Sequence, residues 1–78
     1  MKIDIAKNII LDNIGDACHG IFNTRNLVGD DMTTLYEEDG LQIDICYDWD
    51  YFEVFGLTYE EFAELKRWYN EIRVELGY

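Results

Sequence analysis

The chain has no proline and no serine, a single histidine, two cysteines and only six basic residues in 78. Lack of serine removes the commonest hydroxyl nucleophile. Cys18 and His19 are adjacent, and helical neighbours point about 100° apart, so the two make a poor catalytic dyad. Cys46 and His19 can meet only through the fold, and one such pair carries little specificity. The cysteines are far apart and fit no CxxC spacing. Two free thiols and a cytoplasmic protein are the expectation, with a single disulfide as the alternative. No basic-then-apolar segment opens the chain, and the longest aliphatic run is Ile9-Ile10-Leu11. Secretion and membrane spanning are therefore not expected.

What is present is acid and aromatic. Seventeen Asp or Glu give a formal net charge of -11 and a pI near 4.1. Direct binding to nucleic acid or to an anionic membrane needs a basic footprint, which this composition excludes. Arg25 and Lys66 bracket forty residues, 26–65, that hold twelve acids and no Lys or Arg. Such segregation produces a field of one sign, which steers association with a basic partner; a merely solvated acidic surface is the plainer reading. Two Trp, six Tyr and four Phe are many for a single domain (residues 1–78) near the lower size limit for a core. Some aromatics should reach the surface or a partner, and a homodimer is one outlet for them.

Helical spacing of Ile5, Ile9 or Ile10, Ile14, Ala17 or Cys18, and Ile21 predicts a helix over residues 4–18, with Gly15 as a weak point and Gly20 as its stop. A short initial strand at residues 2–5 is the alternative. Residues 23–31 read as a polar loop and the one candidate hinge. Asp39-Gly40 suits a type I′ hairpin turn. A two-residue loop there sets Tyr36 opposite Ile43 and Thr34 opposite Ile45, with Leu35, Glu37, Asp44 and Cys46 on the other face. The next turn lies near residues 48–50. An even-length loop places Phe52 and Val54 beside Ile45 and Ile43, whereas an odd one buries Glu53 at a cost. The even loop is preferred, and it leaves Asp44, Asp48, Asp50 and Glu53 outside with Tyr51 and Phe55 among them. Thr58 and Glu61 form a capping-box pattern. Phe62, Leu65, Tyr69, Ile72 and Leu76 make an apolar stripe, and Gly77 ends the helix. The expected fold is α+β: helix, three-stranded antiparallel meander, closing amphipathic helix (αβββα).

No cofactor or metal motif emerges. An EF-hand loop begun at Asp48 puts Phe52 at a ligand position and Glu53 where glycine is needed. Loose divalent binding by Asp48 and Asp50, or by Asp30 and Asp31, is the most that the acids offer. Zinc spacings and phosphate-cradling glycines are missing. The remaining feature is an acidic–aromatic face. Alternate strand residues lie about 6.8 Å apart, so a row of carboxylates presents regular negative charge, as a nucleic-acid backbone does. Arginine pairs with carboxylates and stacks on exposed aromatics. Glu37, Asp44, Asp48, Trp49, Asp50, Tyr51, Glu53 and Phe55 are the expected partner-binding residues. An ordinary half-solvated sheet, whose aromatics merely favour strands, is the competing reading.

In its brevity, its charge, the stretch EEDGLQIDICYDWDYFEVFG and its closing amphipathic helix, the chain resembles the small acidic inhibitors of phages and mobile elements, the anti-CRISPR proteins especially. The resemblance is one of type and transfers no residue role. It implies a non-enzymatic inhibitor that denies DNA or guide access to a Cas effector, with nucleic-acid mimicry as one route. Other proteins of this kind bind sites unrelated to nucleic acid. The alternative is a non-catalytic structural or regulatory interaction module, homodimeric through its spare aromatics.

Overall fold

The N-terminal helix, α1 (Lys2–Asn13), buries Ile3, Ala6 and Ile10, and the same stripe continues through Ile14 and Ala17. The expected stripe weighted bulk and set Ile5 inward; instead Ile5 lies at the surface and Ile9 at the margin of the core. The helix also stops earlier than residue 18. The Asn13 side-chain amide donates back to the Ile9 carbonyl, four residues earlier, at 2.8 Å. A single 3-10 turn, Ile14–Asp16, then carries the chain onward.

The computed structural model describes residues 1–25 and 32–78. Its strands are β1 (Gly20–Phe22), β2 (Met32–Glu38), β3 (Leu41–Cys46) and β4 (Tyr51–Phe55). They form one sheet in the order β1-β4-β3-β2, with β1 parallel to β4 and the other pairs antiparallel. This overturns the three-stranded antiparallel meander: the sheet is four-stranded and mixed. Ile21 falls on the helical period of α1, which hid a three-residue strand. Of the expected loop, residues 23–25 are irregular, while 26–31, including Asp30 and Asp31, lie outside the described residues.

The β2–β3 turn matches expectation, with Asp39 at φ 53° and Gly40 at φ 81°. Tyr36 pairs with Ile43, but a bulge between Thr34 and Tyr36 shifts the rest, so Thr34 faces Asp44 and Thr33 faces Ile45. One extra residue opposite a regular strand reverses the facing beyond it. Four residues, 47–50, join β3 to β4, and Phe52 and Val54 pair with Ile45 and Ile43 as the even loop requires.

The closing helix, α2 (Tyr59–Glu75), begins with a complete capping box. Glu61 donates its backbone N–H to Thr58 Oγ1 at 3.1 Å, and the Thr58 N–H reaches Glu61 Oε1 at 2.9 Å. The Thr58 backbone N–H foremost, and then the Thr58 side chain, hold the Glu61 carboxyl below its ordinary pKa. Gly77, at φ 84°, ends the helix while Tyr78 donates to the Arg73 carbonyl and Gly77 to that of Val74. That is the Schellman arrangement. Phe62, Leu65 and Tyr69 are buried, whereas Leu76 stays exposed. Both helices supply side chains to one core with Ile21, Leu41, Ile43, Ile45, Phe52 and Val54.

Candidate functional site

The face of the sheet turned away from that core carries Gln42, Asp44 and Cys46 on β3 and Tyr51, Glu53 and Phe55 on β4. Asp44 and Glu53 are directly opposed across the strands, and both are buried, at 3% and 2% exposure. This corrects the expectation that they lie outside. Their burial also means that no row of carboxylates runs across an open sheet.

Neighbours explain how such a face tolerates acid. The Gln42 amide sits 3.1 Å from both Asp44 oxygens. Arg25 places Nη1 3.9 Å from Asp44 Oδ2 and its guanidinium 4.7 Å from the centre of the Phe55 ring. Phe22 meets Tyr51 edge-on, with centroids 5.3 Å apart. Tyr51 is buried too. Burial, then the Glu53 charge, then Cys46 push its pKa up to about 12. Neither Gln42 nor Phe22 carries a signal in the sequence. Arg25 left one signal, as the last cation before the acidic stretch.

Within the β2–β4 segment, the exposed acids lie instead at the two ends of β3. At one end, Glu37, Glu38 and Asp39 surround the hairpin turn. The Tyr36 hydroxyl points to Glu38 at 3.4 Å, and burial followed by the Glu38 charge raises its pKa. At the other end the 47–50 loop displays Tyr47 at 48% and Trp49 at 58% exposure, with Asp48 exposed between them. Asp50 adopts φ 57°, a left-handed conformation that aspartate tolerates better than most residues. Its carbonyl accepts the His19 N–H at 2.8 Å, and its carboxylate lies 3.3 Å from His19 Nδ1. The loop is thereby fastened to the residue preceding β1.

The chain matches no protein-family model, no curated protein and no solved structure. Its own chemistry is the only guide.

Of the eight expected binding residues, Glu37, Asp48 and Trp49 are exposed, and Asp50 and Phe55 are half-buried. Asp44, Tyr51 and Glu53 are buried. Asp48, Trp49 and Asp50 belong together in one loop; Glu37 sits at the other end of β3. Cys18 and Cys46 are both free, with Cys46 buried. Among the described residues no helix is long and apolar enough to cross a membrane.

Proposed function

We propose that this chain is a non-catalytic, cytoplasmic inhibitor of the anti-CRISPR type, which binds a basic nucleic-acid-handling protein such as a Cas effector and obstructs it. The observation that carries this reading is the 47–50 loop, where Tyr47 and Trp49 stand exposed beside Asp48 and Asp50. Aromatic side chains supply much of the binding energy at interfaces. Carboxylates beside them favour Arg or Lys from the other protein, and the charge of -11 steers its approach. Backbone mimicry by a sheet-wide row of acids is not part of this reading, because Asp44 and Glu53 are buried. Contact at the loop, reinforced by long-range attraction, takes its place.

The test is capture of a partner from host lysate by the tagged chain and by Trp49→Ala and Asp48→Asn variants, followed by titration at rising salt. The expected result is a basic partner lost with Trp49→Ala, whose association slows as salt increases. Capture that is indifferent to both substitutions and to salt would refute it.

A further inference from the structure

Asp44 carries an arginine beside it that it does not hold firmly. The Arg25–Asp44 separation of 3.9 Å is an ion pair without a hydrogen bond. The Arg25 side chain is 68% exposed, whereas the Asp44 side chain is 4% exposed. Above the Phe55 ring the guanidinium finds the stacking that this cation favours. Gln42 meanwhile braces both carboxylate oxygens, fixing their direction before any cation arrives. An aromatic ring and an oriented carboxylate together form a receptor for a planar cation with several N–H donors. Lysine, a compact charge without a flat face, fits it less well.

We infer that the Phe55–Asp44 corner is a guanidinium site, occupied in the free protein by Arg25 and taken over in a complex by an arginine side chain of the partner. This rests on the reading of the chain as a binder of basic proteins, and it names the partner's contacting group. Arg25 then acts as an internal competitor: it shields the acid in the free chain and weakens apparent affinity by the fraction of time that it fills the site. A partner arginine gains by approaching with its fork toward the carboxylate, making the hydrogen bonds that Arg25 leaves unmade.

The experiment uses the full chain, isotope-labelled for NMR, titrated with N-acetyl-arginine amide and separately with N-acetyl-lysine amide. In Arg25→Ala the arginine derivative should bind at least about fivefold tighter than in the unmodified protein, as removal of a competitor requires. It should shift the Gln42 side-chain amide and the Phe55 ring signals, and it should outbind the lysine derivative. Should Arg25→Ala fail to fold, Arg25→Gln, which keeps an amide donor for Asp44, is judged by the same criteria. Equal binding by protein with and without Arg25, or equal binding of the two derivatives, overturns the proposal. Shifts confined to residues 47–50 overturn it as well, while leaving the loop reading of function intact. Conversely, partner capture that ignores Trp49→Ala refutes the loop and leaves this site standing.

Discussion

Phe52 and Glu53 are neighbours in β4, buried to almost the same degree, and they face opposite sides of the sheet. Phe52 enters an apolar core, where its ring meets that of Tyr69 edge-on at 6.1 Å between centroids. Glu53 enters a layer with Asp44 directly across from it. On the first side, removal from water is itself the stabilising term. On the second, burial opposes folding unless each charged or polar atom finds compensation. One sheet therefore holds a face that sustains the fold and a face that the fold must sustain, which is where a function separate from stability has room to reside.

Truncation on the core side gives the largest expected effect. Phe52→Ala should destabilise by about 3–5 kcal/mol, the usual cost of emptying a buried aromatic site. Denaturant melts measure it; a loss below about 1 kcal/mol would remove the contrast between the faces. Thr58→Ala, which deletes the cap of α2, should cost about 1 kcal/mol by the same measurement and calibrates the helical layer. Glu53→Gln should change stability by less than about 1 kcal/mol, because relief of the like charges opposed across the strands is offset by a weaker bond to the Tyr51 hydroxyl. A loss comparable to that of Phe52→Ala would show that Glu53 sustains the fold.

Alkaline melts sharpen the same comparison. Tyr51 has its pKa raised from 10.0 to about 12 in the folded chain. Its contribution is fully present below about pH 10 and is lost as pH rises toward about 12, since the unfolded chain releases the proton first. Tyr51→Phe should reduce that loss. Tyr36 and Tyr69, also raised, keep part of the slope. An identical pH dependence in the variant would sink this assignment. The smallest expected stability change belongs to Trp49→Ala, within about 0.5 kcal/mol, because the side chain is mostly in solvent. A melt showing more would make the loop a structural element.

Much of the second half of the molecule was legible in advance, since its signals are local. The Thr58–Glu61 box, Gly77 and the Asp39-Gly40 turn each follow from backbone chemistry within a few residues. The β3–β4 register followed from parity, because an odd loop would have reversed every side chain. β1 was not legible: three residues carry no periodicity, and its partner β4 lies far along the chain. The bulge at Leu35 leaves no mark in composition. For the candidate site, the 47–50 loop could be read as exposed, since Asp48, Trp49 and Asp50 interrupt two apolar strands. Burial of Asp44 and Glu53 could not be read, because it depends on long-range neighbours such as Phe22 and Arg25, and charge alone argues for solvent.

Residues 17–19 connect elements that otherwise lie apart. The Tyr69 hydroxyl donates to the Ala17 carbonyl at 2.7 Å, and Arg73 Nη1 donates to the Cys18 carbonyl at 2.6 Å. His19 in turn holds Asp50. Mechanically these are links in series: α2 grips a three-residue strap, and the strap grips the loop. A series linkage is only as stiff as its weakest member, here the half-exposed His19–Asp50 joint. Load carried by the loop during docking would therefore reach the C-terminal half of α2 through two carbonyl oxygens. Amide exchange at His19 would report slack in that linkage before either end had come loose.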